Sequence, residues 1–255
     1  MAGLPFSIGT LRALQKELSV SHTGRKPLVV GGARALAPLL RQELGVSGGH
    51  DAPRGAAVYV HVWSGDGNDE ETLKRARRAR VPIVALAPPE LDDVPYVLAT
   101  DVVPLQPGAG FPIAALAQRI AGRLGEEAAP LAARMPVLRG AVAEQLIAGF
   151  ARRNAVLAVA VFIPGADLPV LVRNQIRMLL RLEQAYGRDP DPRERVPEIL
   201  ATILAGFGLR AVARQLLDFV PVAGWAVQGG VAYTGTRALG EAAVRRLEMA
   251  ERGHG

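Results

Sequence analysis

The segment PLVVGGARALAPLLRQEL, residues 27–44, decides the fold class. Residues 27–32 are a short apolar run that two glycines stop. ARALAPLLRQEL (33–44) then sets Leu36, Leu39, Leu40 and Leu44 on one side, the spacing of an amphipathic helix. A buried strand that turns through glycines into a helix is the opening unit of an α/β sheet. The pattern recurs downstream. AAVYVHVW (56–63) is rich in β-branched and aromatic residues and predicts a second strand. The loop SGDGND (64–69) leads into the helix DEETLKRARRA (69–79), with acids in its first turn and cations in its last, as the helix dipole favours. Asn68 or Asp69 is placed to cap it. VPIVALA (81–87) predicts a third strand, YVLATDVVPL (96–105) a short edge strand, and FPIAALAQRIAGRLG (111–125) another helix. Ahead of all this, residues 6–19 space Leu11, Leu14 and Leu18 as a short amphipathic helix and lack the features of a signal peptide. Strands alternating with helices predict a mainly parallel sheet covered by helices.

From about residue 128 the pattern changes. The segment EEAAPLAARMP carries two prolines, and no strand-like alternation follows it. Two units are expected: an α/β unit over 1–132 and an α-helical unit over 133–255, so the fold class is α/β plus all-α. The second unit predicts helices near 137–163, 167–186, 194–217 and 222–250.

Composition narrows the chemistry. The chain has no cysteine, which excludes disulfides, zinc–thiolate sites, iron–sulfur clusters and a cysteine nucleophile. Its net charge is +6, from 27 Arg and 3 Lys against 24 acids. Such an excess attracts anionic surfaces, but neither unit is polarised enough to predict a nucleic-acid partner. His22, His50, His61 and His254 show no metal-ligand spacing, and His61 reads as a structural residue of the second strand. No serine sits in a nucleophile elbow, so a hydrolase triad has no candidate set.

The turn at Gly31 and Gly32 is where a phosphate loop would sit. Such a loop needs G-x-x-x-x-G-K-[ST], whose amides cradle phosphate, whose lysine neutralises it and whose hydroxyl holds magnesium. Counted from Gly31, the last three places hold Leu36, Ala37 and Pro38; counted from Gly32, they hold Ala37, Pro38 and Leu39. Both frames fail throughout, which leaves Gly31 and Gly32 as a vestigial turn or a weak anion site. After the third strand, Pro88-Pro89-Glu90 stands where a guanine-reading Asn-Lys-x-Asp would be expected. Asp66 and Asp69 read as turn and cap residues, with magnesium ligation as the rival. No cofactor and no metal are expected.

The segment NAVLAVAVFIPGADLPVLVRNQIRMLLRLEQAYG, 154–187, joins two apolar runs through a Pro-Gly break and then enters an arginine-bearing helix. Asp167 is the only ionisable residue between Arg153 and Arg173. It caps the following helix or pairs with an arginine such as Arg177 or Arg210, because an unpaired buried acid is costly. Arg173, Arg177 and Arg181 recur every four residues as one basic stripe. That stripe is a solvated face, or a surface for anionic lipid or an acidic partner. A membrane span needs about 20 largely apolar residues, and residues 154–172 are broken by Pro164, Gly165, Asp167 and Pro169. A water-soluble or peripheral domain is favoured over insertion. The apolar stretch 198–236 points to self-association.

FIPGADLPVLVRNQIRMLLRLEQAYG (162–187) and DFVPVAGWAVQGGVAYTGTRALGEAA (218–243) resemble the GTPase-associated helical family of unknown function, the YcjF-like domains. The likeness covers 150–187 and 197–240, with Pro164, Asp167, Gln175, Met178 and Tyr186-Gly187 carrying it. The resemblance implies a preceding Era-like GTPase domain, here stripped of its nucleotide motifs. The combined expectation is a cytoplasmic, non-catalytic scaffold, with membrane association as an option: a degenerate GTPase-like unit joined to a helical membrane-facing or partner-binding unit. Its partners would be itself, another protein or an anionic membrane, with Asp167, Arg173, Gln175, Arg177 and Arg181 as contact residues. Two rivals are a nucleotide hydrolase that uses Asp66 or Asp69 for magnesium, and an integral component of a membrane-remodelling or channel-like assembly.

Overall fold

The computed structural model describes residues 26–46, 52–91, 93–160, 168–188 and 224–253. The helices expected at 6–19 and 194–217, and Asp167, lie outside the described residues. The chain divides into two compact units, one within Ser21–Gln145 and one that includes Leu146–Gly255.

The first unit is α/β. Its strands are β1 (Leu28–Gly32), β2 (Val58–Val62), β3 (Ile83–Ala87) and β4 (Val102–Pro104). They form one parallel sheet in the order β1-β2-β3-β4. Helices α1 (Leu36–Leu44) and α2 (Asn68–Arg78) make the first two crossovers, and α3 (Ile113–Leu124) follows β4. Every residue of β2 and β3 is buried, as a covered parallel sheet requires. The expected fourth strand is trimmed to three residues, because Ala99–Asp101 coil into a 3₁₀ turn first. Arg123 of α3 reaches back to that turn and pairs with Asp101 at 3.4 Å.

Register then places side chains. Parallel partners share a face and the strand period is two. Val29 pairs with Tyr59 and Tyr59 with Ile83, while Gly31 pairs with His61 and His61 with Ala85. All therefore lie on one face of the sheet. Leu73 and Ala76 of α2 pack there, in one apolar cluster with Val29, Tyr59, Ile83 and Ala85. Burying a side chain such as Leu73 contributes roughly 1.5–3 kcal/mol.

The strand order runs without reversal. Doubly wound nucleotide folds bind ligands in the crevice where strand order reverses. The four described strands contain no such reversal.

The chain continues through α4 (Ala129–Arg134) into α5 (Arg139–Ala160). The second unit is helical, with α6 (Leu168–Ala185) and α7 (Gly224–Arg252) beside the end of α5. Leu171, Ile176, Met178 and Leu180 of α6 are buried. A buried polar chain links three helices: Asn174 Nδ2 donates to Asn154 Oδ1 at 3.0 Å, and Asn154 Nδ2 to Thr236 Oγ1 at 3.0 Å. Among the described residues no helix is long and apolar enough to cross a membrane.

Candidate functional site

The α/β unit holds a broad cleft of about 1000 Å³. Its floor is the sheet face that carries Gly31, Tyr59 and His61. Its walls come from α1, through Ala37 and Arg41, and from α2, through Asp69, Thr72 and Arg75.

At the βα turn the two glycines serve the chain itself. Gly32 has φ 102°, and a side chain there would overlap the Val62 carbonyl. Left-handed backbone and backbone contact together demand glycine. Gly31 lies beneath Tyr59, whose hydroxyl would be only 2.5 Å from a Cβ at that position. Three of the turn amides are also occupied. Ala33 N donates to Val62 O at 2.8 Å, and Leu36 N and Ala37 N donate to Ala33 O at 3.1 and 2.9 Å. Pro38 has no amide to offer. A phosphate cradle needs a run of amides pointing outward, and this turn directs three of its own inward.

The sheet floor carries a buried polar network. His61 is 0% exposed and Asp69 2%. His61 Nε2 lies 2.8 Å from Asp69 Oδ1, and Tyr59 Oη lies 3.2 Å from His61 Nδ1. A carboxylate only accepts, so Nε2 carries the proton and Nδ1 accepts from the tyrosine. That tautomer satisfies a neutral ring. Burial pulls the His61 pKa below its ordinary value, against the opposing hydrogen bond and charge of Asp69 and the charge of Asp66.

Asp69 collects more than the histidine. Its Oδ2 accepts from Ser64 N at 3.0 Å and Gly65 N at 2.8 Å, and Ser64 Oγ donates to the carboxylate at 3.0 Å. The expected cap is corrected by this geometry. The N-cap of α2 is Gly67, with no side-chain cap bond, and Asp69 sits inside the first turn. From there its carboxylate ties the β2–α2 loop to the sheet. Asp66 is the turn residue expected, accepting from Asn68 N at 3.0 Å.

Serine, histidine and aspartate thus meet, although they were legible only as scattered residues. Their order is wrong for nucleophilic catalysis. In a hydrolase the histidine stands between serine and aspartate and takes the serine proton. Here the aspartate stands in the middle, the serine proton points to it, and the histidine acceptor is held by Tyr59. The one available signal was the alternation in VYVHVW, which puts Tyr59, His61 and Trp63 on one face of β2. Asp69 shows no such signal, because a loop separates it from the strand. Among the described residues no three His, Cys, Asp or Glu side chains are grouped to hold a metal ion.

The contact residues expected in the helical unit are placed as follows. Arg173 and Arg177 are half-buried. Gln175 and Arg181 are each 6% exposed, so the arginine stripe is not open along its length. Arg181 Nη1 donates to Gln184 Oε1 at 2.9 Å, one turn along the same helix.

No family model, no curated protein and no solved structure matches the chain.

Proposed function

We propose that the chain works by contact and not by turnover, as a non-catalytic interaction protein with an α/β unit and a helical unit. One observation carries this reading: the turn after β1 spends three of its amides on the protein. Ala33 N is bonded to the Val62 carbonyl, and Leu36 N and Ala37 N to Ala33 O. A triphosphate placed there meets neither a run of outward amides nor a lysine. The second support is Asp69, the most deeply placed acid of the cleft, whose carboxylate is filled by Ser64, Gly65 and His61. A reading in which Asp69 holds magnesium would have to break those bonds first. The unreversed strand order agrees, since it offers no switch-point crevice.

The test is isothermal titration of the full chain with GTP, GDP and ATP, each with and without magnesium. The expected outcome is no saturable heat at ligand concentrations up to about a millimolar, the regime of ~4 kcal/mol of affinity. Micromolar, magnesium-dependent binding of any of the three sinks the proposal.

A further inference from the structure

The cleft is lined by arginines from three separate pieces of chain. Arg41 comes from the last turn of α1, Arg54 from the segment before β2, and Arg75 and Arg78 from the last turn of α2. Parallel strands joined by helices put the helix C-termini at the edge where the strands begin. Arg54 lies four residues ahead of β2, and Arg78 five ahead of β3, so these side chains belong to that same edge. Arg54, Arg75 and Arg78 are exposed. Arg75 makes only long contacts within its own helix, to Glu71 O and Thr72 Oγ1 at 3.4 Å each. Among the described residues Arg54 and Arg78 have no carboxylate partner.

A cation in the last turn of a helix is favoured by the dipole alone. That accounts for Arg41, Arg75 and Arg78 one at a time. It does not account for Arg54, which is on no helix, or for their meeting in one concave space. Arg41 is already engaged, its Nε donating to Val30 O at 3.1 Å; the cleft acids do not balance the other three. Asp69 is committed to His61 and the loop, and Asp66 lies in that loop, at the edge where the strands end.

We propose that this arginine-lined edge of the cleft binds an acidic segment of a protein partner, in extended form, through its carboxylates. The inference rests on the contact reading above and says what the contact is. Guanidinium forks match carboxylates in pairs. The α2 wall from Asn68 to Ala79 rises about 16 Å at 1.5 Å per residue, the reach of roughly five extended residues. A single phosphate would fill only part of that length. A planar bilayer cannot enter a concave site between two helices. An extended acidic chain meets both conditions.

The experiment uses the full chain and a fluorescein-labelled hexaglutamate peptide, read by anisotropy at low and moderate salt. Wild type is expected to bind, with affinity falling as salt rises. The triple variant R54E/R75E/R78E is expected to lose at least tenfold. A second variant, R119E/R152E/R245E, reverses three exposed arginines elsewhere and carries the same net charge. It is expected to keep binding within about threefold of wild type, since only the cleft should matter. Equal loss in both variants means attraction by overall charge, and overturns the proposal. So does no wild-type binding below a millimolar. Inorganic triphosphate or phosphatidylserine vesicles that bind more tightly than the peptide, with loss only in the cleft variant, also overturn it, in favour of those ligands. Circular dichroism confirms that both variants are folded. A silent nucleotide titration with failed peptide binding rejects this site and leaves the contact reading standing; magnesium-dependent nucleotide binding rejects the contact reading itself.

Discussion

Asp69→Ala should destabilise the α/β unit by more than the loss of one hydrogen bond. The carboxylate is buried and accepts from His61 Nε2, Ser64 N and Gly65 N, with the Ser64 hydroxyl beside them. Removing it strands the Nε2–H of a fully buried ring, which costs about 1–3 kcal/mol. Ser64 and Gly65 are exposed enough to recover water, so their two amides lose less, roughly 0.5–1 kcal/mol each. The sum is about 3 kcal/mol, a large share of the ~5–15 kcal/mol that holds a domain folded. The control is Asp66→Ala. That acid is exposed and accepts from Asn68 N, so its loss should cost about 0.5 kcal/mol. Urea unfolding followed by Trp63 fluorescence reads the right unit, since Trp63 is half-buried beside His61 with ring centroids 6.4 Å apart. Replacing Trp225, the second of the two tryptophans, by phenylalanine in every variant removes the competing signal. An Asp69→Ala midpoint that implies less than about 1 kcal/mol beyond Asp66→Ala, at unchanged slope, refutes the reasoning.

Three further outcomes follow from the same geometry. The folded-state pKa of His61 lies below its ordinary 6.5, so the unfolded chain binds that proton more readily; the stabilisation is complete above about pH 6.5 and is lost as pH falls toward the folded value, by at most ~1.4 kcal/mol per unit. Wild type should therefore weaken more than His61→Gln between pH 7.5 and 5.5 in urea titrations, and parallel pH profiles would count against it. Gly32→Ala should cost about 3 kcal/mol or more, because it joins a positive φ to a backbone overlap; Gly65→Ala, at φ 78° with nothing nearby, should cost about 1 kcal/mol, and similar thermal midpoints for the two would contradict this. Asn154→Val strands the Asn174 amide and takes away the donor that the Thr236 hydroxyl accepts from, so the helical unit should lose about 1–3 kcal/mol by thermal circular dichroism; an unchanged or raised midpoint would show that the polar chain is dispensable.

Much of the scaffold was legible in the chain itself. The runs at 27–32, 56–63 and 81–87 contain β1, β2 and β3, with β1 and β3 trimmed at the start and β2 at both ends. The expected helices at 33–44, 69–79, 111–125, 137–163, 167–186 and 222–250 overlap α1, α2, α3, α5, α6 and α7 to within a few residues. These are local properties. Apolar spacing, β-branching and glycine punctuation act over a few residues, and burial of the resulting face enforces them. The fourth strand was the weakest reading, because Ala99–Asp101 satisfy their backbone in a 3₁₀ turn.

The sequence alone determined the class of the molecule: parallel strands under helices, then helices only, with no lysine or hydroxyl at the turn after β1. Only the tertiary structure decided what the cleft is made of. Whether strand β2 neighbours β1, whether His61 reaches Asp69 across a loop, and whether four arginines from three pieces of chain share one edge all depend on pairings between distant residues. No short-range pattern encodes those pairings, because a carboxylate eight residues from an imidazole is as consistent with an open turn as with a bond of 2.8 Å. What selects between them is the packing of α2 on the sheet: Leu73 and Ala76 fix the helix against Val29, Tyr59 and Ile83, and Asp69, one turn earlier, is carried to the ring.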